Sequence, residues 1–196
     1  MRFASADPHP TKADRARLLI LSIAVLLNRA GERVGLTGTR LPPRRGNAQI
    51  LRLAEMLSED QEYEYSPPEH RAMIPNASAF FVSDFLGDLA PVKLALTKAA
   101  DRGVRGVLLQ LLDPSEEAFP FHGRTIFESV GGGLRHETLK ANDLRDRYLE
   151  RLAARKADLQ NLCHITGWQY GLHHTDSSAQ SGLLWAYQSM NGGTRL

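Results

Sequence analysis

Two long, mainly apolar runs, leading to Asp84 and Asp113, constrain the fold of this chain more than any other feature. "SAFFVSDF" at 78–85 and "VRGVLLQLLD" at 104–113 are continuously apolar rather than alternating, which is typical of strands covered on both faces. A predicted helix from Pro91 to about Arg102 separates them. A buried strand, a helix and a second buried strand together predict a parallel pair joined by a crossover.

The remaining segments alternate in the same way. Thr11 is a predicted cap for a helix from about Lys12 to Ala30, although no strand precedes that helix. Asn47 caps a second predicted helix, and Asn142 or Asp143 caps a long one. The other predicted elements are a strand "RVGLT" at 33–37, a hairpin "HGRTIFESVGGGLRHETL" at 122–139, a strand "WQYGLHHTD" at 168–176 and a helix "SSAQSGLLWAYQSM" at 177–190. We therefore predict one α/β domain over residues 1–196, with a mostly parallel sheet, helices on both faces and a small β-hairpin insertion.

Composition excludes several classes of protein. The chain has 196 residues, 42% of them hydrophobic, which suffices for one domain with its own core. A net charge of +2 is too small to argue for nucleic acid. The single cysteine, Cys163, excludes an intrachain disulfide and suits a reducing, cytoplasmic compartment. The apolar run Leu18–Leu27 is shorter than the roughly 20 residues that a membrane span needs, so we interpret it as part of a buried helix.

Common catalytic and cofactor motifs are absent from the sequence. It contains no G-x-S-x-G nucleophile elbow, no glycine-rich phosphate loop and no G-x-G-x-x-G. The run Gly131–Gly133 lies between two short predicted strands, which favours a turn. Cys163 and His164 are adjacent on a helix and point about 100° apart, so they form a poor ligand pair. We predict no catalytic residue and no cofactor.

Polar residues at the predicted strand ends are the remaining candidates. Asp84 follows a central strand, where α/β folds bind their ligands, and a lone aspartate there is a hard oxygen ligand that needs companions to hold a metal ion. His173, His174 and Asp176 end the last strand. The two histidines face opposite sides of that strand and cannot chelate one ion together. A polar strand end is the favoured interpretation, with a functional carboxylate and imidazole as the alternative.

A compact basic cluster, Arg40–Arg45, contains two stiffening prolines. It suits contact with an acidic partner, or it is a solvated turn. Because it follows the predicted strand at 33–37, we expect it near the carboxyl edge of the sheet. The predicted partner-binding residues are Arg44, Arg45, Asp84 and Asp176.

The chain is similar to a bacterial family known as domain of unknown function fifty-eight, whose members carry a von Willebrand factor A-like (Rossmann-like) fold. The segments that carry this resemblance are weak singly and occur in order through nearly the whole chain: "GERVGLTG" and "LPPRRG" within 31–46, "FVSDFLG" at 81–87, "LLDPSEEAFPF" at 111–121, "LRDRYLERLAAR" at 144–155 and "HHTD" at 173–176. The resemblance implies a non-enzymatic, cytoplasmic interaction domain that assists a MoxR-type AAA+ ATPase in assembling or maturing protein complexes. The alternatives are a metal-dependent hydrolase using Asp84, His173 and Asp176, and an inactive remnant.

The resemblance also implies a metal site that this sequence does not complete. Von Willebrand A-type domains bind a metal through D-x-S-x-S after the first strand, then a threonine, then an aspartate that corresponds to Asp84. The segment 60–76 contains no threonine, and Met1 stands where relatives continue directly after D-x-S-x-S. We therefore expect the first central strand to be missing and no metal to bind. The slot would be filled by Met1–Ser5, by closure of "RVGLT" onto "SAFFVSDF", or by a second copy pairing with an exposed sheet edge.

Overall fold

The computed structural model describes residues 10–39, 41–58, 73–120, 125–128, 135–138 and 142–192. In chain order, its elements are α1 (Lys12–Arg29), α2 (Asn47–Ser58), β1 (Ser78–Ser83), α3 (Ala90–Ala100), β2 (Arg105–Leu112), α4 (Pro114–Ala118), β3 (Thr125–Glu128), β4 (Arg135–Thr138), α5 (Asn142–Thr166), β5 (Gln169–His174) and α6 (Ala179–Gly192). The predicted α/β class is confirmed. The short helix α4, which follows β2 directly, was not predicted.

A three-stranded parallel sheet forms the centre of the fold, with strand order β1-β2-β5. Ser78 is paired with Arg105 where β1 meets β2, and Leu112 with His174 where β2 meets β5. All three strands run in the same direction, so their carboxyl ends meet at one edge of the sheet. The predicted hairpin is also confirmed, because β3 and β4 form an antiparallel pair. Its predicted turn at 131–133 lies outside the described residues.

Helices α3 and α5 cover one face of the sheet. Leu96 of α3 and Leu159 of α5 are fully buried against Leu108 of β2. Phe81 of β1 contacts Trp168 on the same side, with ring centroids 5.0 Å apart. This face carries the larger of the apolar clusters in the described residues, and it explains why β1 and β2 are apolar on both sides.

Helices α1 and α6 cover the opposite face. Leu19 of α1 packs with Leu109 and Leu111 of β2, and Trp185 of α6 lies against the same group. Further along α1, Ala24 packs with Leu53 of α2 in a separate cluster. The predicted arrangement, with helices on both faces, is therefore present. No helix within the described ranges is both long and apolar enough to cross a membrane.

The prediction of a strand at 33–37 is wrong. Val34 and Arg44 form a single antiparallel bridge, and no ladder extends from it. Gly38 adopts a left-handed conformation with φ +79°, and prolines at 42 and 43 offer no amide hydrogens for further pairing. Val34 packs on the α1–α2 cluster instead of beside β1, so the predicted closure of this segment onto β1 is wrong as well. The alternative segment, Met1–Ser5, lies outside the described residues.

Candidate functional site

A buried ion cluster occupies the carboxyl edge of the sheet. Asp84, one residue beyond β1, is 6% exposed, and its Oδ2 lies 2.9 Å from Nζ of Lys12. The same ammonium lies 2.6 Å from Oε1 of Glu116 in α4. Lys12 itself is only 2% exposed, although it is the first residue of α1. These three residues, which we call the Lys12 cluster, join α1, β1 and α4 at one point.

Local sequence explains why Lys12 and Glu116 point inward. Thr11 caps α1 as predicted, because its hydroxyl accepts a hydrogen bond from the amide of Asp14 at 3.1 Å, and the helix therefore begins over the sheet edge. Glu116 belongs to a capping box at the start of α4: its Oε2 accepts a hydrogen bond from the amide of Asp113 at 2.8 Å. That bond leaves Oε1 of Glu116 facing Lys12.

The charges of the Lys12 cluster stabilise one another. Burial alone would lower the pKa of Lys12, but the adjacent carboxylates of Asp84 and Glu116 outweigh it and raise that pKa. Burial would raise the pKa of Asp84, and the Lys12 ammonium holds it below its usual value. The half-buried Tyr148 of α5 has a raised pKa because of burial and then the negative charges of Glu116 and Asp84. Lys12 and Asp84 therefore keep their charges at neutral pH.

This geometry does not fit the metal ion that the resemblance implies at Asp84. A magnesium or calcium ion would have to lie about 2.0–2.6 Å from a carboxylate oxygen, yet the Lys12 ammonium is already 2.9 Å from Oδ2. Two unit charges 4 Å apart repel by about 4 kcal/mol at an effective dielectric constant near 20, and a divalent ion would double this. Within the described ranges, no group of three or more histidine, cysteine or acidic side chains is arranged to hold a metal ion.

His173 of β5 has its own cationic neighbour from α1. Its ring is buried, with Nε2 located 3.4 Å from Nη1 of Arg15 and with Gly182 of α6 against the ring. Arg15 also donates to the carbonyl oxygens of Thr175 at 2.8 Å and Ser177 at 2.7 Å. Burial, with the charge of Arg15 as the next contribution, lowers the pKa of His173 to about 4. The imidazole is therefore neutral at physiological pH, and Nε2 faces a group that can only donate.

Asp84, His173 and Asp176 lie at the same edge of the sheet, as predicted, but not as a cooperating set. Asp84 contacts Lys12, whereas His173 contacts Arg15, one helical turn further along α1. Asp176 is exposed, and its charge only partly offsets the lowering of the His173 pKa. The strand ends of β1 and β5 are separated by β2, which places them roughly 10 Å apart.

Arg44 and Arg45 lie elsewhere, contrary to the prediction that they are near the carboxyl edge. The next residue, Gly46, donates its amide hydrogen to Oδ1 of Asn28 at 2.7 Å. Because Asn28 is sixteen residues beyond Lys12 in α1, the basic residues lie about 24 Å along the helix from the Lys12 cluster. The physical reason is that residues 33–37 do not form the predicted strand. The segment turns back on α1 and α2 instead of running along the sheet. Both arginine side chains are exposed, and Arg40 lies outside the described residues.

Sequence reasoning missed Lys12, Arg15 and Glu116, although two signals were present. Lys12 and Arg15 share one face of α1 with the apolar residues that it buries, Ala16, Leu19 and Ile23, so two basic residues occupy positions where core residues are expected. The segment Asp113–Glu116 has the D-x-x-E spacing of a capping box, which predicts a helix start directly after β2.

An open cavity of about 760 Å³ lies at the amino end of the sheet, away from these residues. Its lining includes Ser78 and Arg105, which begin β1 and β2, and Gln169, which begins β5. Among the described residues that line it, Arg105 is the only ionisable side chain, so these residues do not form an acid–base pair.

Replacement of Lys12 by methionine tests the energetics of the Lys12 cluster. We expect Lys12→Met to lower the free energy of unfolding by about 3–5 kcal/mol, because it removes the ammonium shared by the buried Asp84 carboxylate and the partly buried Glu116 carboxylate. Urea denaturation at pH 7 measures this. The control is Lys93→Met on the exposed side of α3, which should change stability by less than about 0.5 kcal/mol. Equal effects of the two substitutions would contradict the role given to Lys12.

The lowered pKa of His173 predicts an acid-sensitive stability. The unfolded chain takes up a proton near pH 6.5, whereas folded His173 resists protonation until about pH 4. Stability from this group is therefore complete above pH 6.5 and is lost as the pH falls towards 4. Between pH 7 and pH 5, the free energy of unfolding measured with urea should fall less for His173→Gln than for the unsubstituted chain. For His164→Gln, at an exposed position of α5, this free energy should fall as much as for the unsubstituted chain. An undiminished loss in His173→Gln would refute the assignment.

Comparison with known proteins places the chain in a family and matches its fold to two solved structures. One structure is a conserved hypothetical protein BatB from Bacteroides thetaiotaomicron, with a TM-score of 0.51, and the other is an aerotolerance-related membrane protein from Bacteroides fragilis carrying multiple mutations to serine, with a TM-score of 0.53. In each comparison the identity is 14%, and 93% of this chain and 90% of the other are covered. No curated protein matches the chain. The profile of the family described as "Protein of unknown function DUF58" matches residues 1–158, and the chain therefore belongs to the DUF58 family.

Proposed function

We propose that this chain is a non-enzymatic, von Willebrand A-like interaction domain that assists a MoxR-type AAA+ ATPase in assembling or maturing protein complexes in the cytoplasm. The proposal that the domain is non-enzymatic rests on the contacts that the ionisable groups make at the carboxyl edge. Lys12, Asp84 and Glu116 bind one another, and His173 faces Arg15. Groups that α/β folds commonly turn towards a ligand are here used to hold the edge together.

The A-like fold in this proposal rests on the resemblance and on the sheet. In that fold the strand equivalent to β1 borders the first, central strand. Here β1 pairs with β2 on one side, and no strand of the described ranges pairs with its other side. The parallel sheet covered by helices on both faces agrees with such a fold. The ATPase partner rests on the resemblance alone.

Backbone conformation at the carboxyl edge supports a binding role for this surface. Phe85 and Phe119 adopt left-handed conformations, with φ of 51° and 43°, directly after Asp84 and α4. Such conformations cost about 1–2 kcal/mol for a residue other than glycine and cluster at functional sites. Beside them, Glu117 of α4 binds both His174 of β5 and Lys156 of α5. The edge thus carries polar side chains that bind one another, with Asp176 exposed next to it.

A hydrolase at this edge would need different geometry. Its metal would have to displace Lys12 from Asp84, and His173 would have to accept a proton while its ring faces the Arg15 guanidinium. Both changes oppose the electrostatics described above. The interaction domain is therefore the function that this arrangement favours.

Charge reversal tests the proposed partner. Arg44 and Arg45 lie about 24 Å along α1 from the Lys12 cluster, a separation comparable with the width of a standard interface, which covers about 800 Å² on each protein. We expect the double variant Arg44→Glu and Arg45→Glu, and separately Asp176→Lys, to weaken capture of a purified MoxR-type ATPase from the same genome. The change should be a few-fold and should come mainly from slower association, since rim charges act on encounter rates. Surface plasmon resonance at low salt measures it.

The matched control is reversal of Arg147 and Arg151, which are exposed on α5. This variant should bind the ATPase like the unsubstituted chain. No detectable binding by the unsubstituted chain would remove the ATPase from the proposal, and equal weakening by all three variants would show that only net charge matters. Turnover of ester or phosphate substrates with manganese, abolished in Asp84→Asn, would instead favour the hydrolase.

We also propose that the chain forms a homo-oligomer through an exposed sheet edge. Within the described residues no strand pairs with the outer side of β1, and we propose that its backbone amides and carbonyls pair with a second copy, since such edges invite pairing. We expect light scattering at increasing protein concentration to show a dimer. A constant monomer mass over the whole range would contradict this part of the proposal.

A further inference from the structure

We propose that Lys12 is the resident cation of the carboxyl edge: its ammonium takes the place of a divalent ion between Asp84 and Glu116, and removal of its side chain converts these carboxylates into a divalent-cation site. This inference starts from the disagreement between the metal that the fold resemblance implies and the residues that are present. It does not depend on the proposed interaction function.

The ammonium has the position and the contacts that a bridging ion would have. It lies 2.9 Å from Oδ2 of Asp84 and 2.6 Å from Oε1 of Glu116, and it is sealed from solvent. Asp84 follows a strand and Glu116 is in a helix beyond the next strand, so one positive charge joins two separate parts of the chain. A lysine ammonium is a compact point charge, which makes it the side chain most similar to a small metal ion.

The two carboxylates are held in place by bonds that do not involve Lys12. Oε2 of Glu116 accepts a hydrogen bond from the amide of Asp113 at 2.8 Å. The main-chain carbonyl of Asp84 accepts one from Nε2 of Gln110 at 2.8 Å, and Oδ1 of Asp84 is 3.4 Å from the donating amide of Leu86. With these bonds in place, we expect the carboxylate oxygens to stay near their observed positions when the lysine side chain is shortened. They are hard ligands of the kind that magnesium, manganese and calcium prefer.

The consequence for the protein is a carboxyl edge that needs no metal ion. A bound ion can be lost to a chelator or diluted away, whereas Lys12 is part of α1. The edge is therefore assembled whenever α1 is folded, and changes in divalent-ion concentration leave it unaltered.

The test compares the full chain with Lys12→Ala and Lys12→Met after treatment with a chelator. Magnesium, manganese and calcium chloride are titrated separately by calorimetry, and thermal unfolding is followed with and without each salt. We expect the unsubstituted chain to show no binding and an unchanged Tm. Lys12→Ala, which leaves space for an ion, should bind at least one of them with a Kd below about 1 mM and gain several degrees in Tm. Lys12→Met, which fills the space with an apolar side chain, should bind none.

Second substitutions identify the ligands. Lys12→Ala combined with Asp84→Asn, or with Glu116→Gln, should lose the gained binding. If Lys12→Ala does not fold alone, refolding in millimolar manganese provides the readout, and recovery of the native circular dichroism supports the proposal. Failure to recover overturns it. So does a folded Lys12→Ala that binds none of the three ions, or an unsubstituted chain that binds one of them equally well.

Discussion

The contact of Lys12 with Asp84 and Glu116 determines how the first helix sits on the sheet. A buried ion pair is weak evidence for net stability, because desolvation offsets most of the attraction. We infer that its value is in specificity: in the observed register of α1, Lys12 reaches both carboxylates. That register also places Arg15 beside His173 and Leu19 against β2. The positions of α1 and of the carboxyl edge are thus fixed together.

α/β folds commonly bind ligands at the carboxyl edge of the sheet. In this chain, charged groups at that edge bind other groups of the same chain. Two basic residues one turn apart on α1 each meet one polar strand end, Asp84 for Lys12 and His173 for Arg15. Asp84 is thereby kept ionised, and His173 is kept neutral. Neither group has the intermediate pKa that acid–base catalysis near neutral pH requires. Beside these groups, Asp176 is exposed two residues beyond β5.

The sequence predicts the central fold well and the site poorly, and the difference has a physical cause. Strands β1 and β2 are apolar on both faces, a local pattern that shorter segments lack, and both were predicted. The segment 33–37 has only two apolar residues, Val34 and Leu36, on either side of Gly35, and a single bridge to Arg44 replaces the expected strand. The contact between Lys12 and Asp84 spans 72 residues of chain. No local pattern encodes it, and a lysine in the first turn of an amphipathic helix is normally solvated.

Either a metal ion or a lysine ammonium can offset the repulsion between two carboxylates at the end of a parallel sheet. The free-energy cost of binding differs between the two. An ion must be dehydrated and is exchangeable. A buried lysine loses roughly 2 kcal/mol of side-chain entropy, but it is covalently part of the helix that it anchors. Similarity at 14% identity shows the fold alone, and function depends on the site that the fold carries. In this chain, as we propose, Lys12 at the start of α1 is therefore the residue that decides whether the carboxyl edge is held by the chain itself or by an ion.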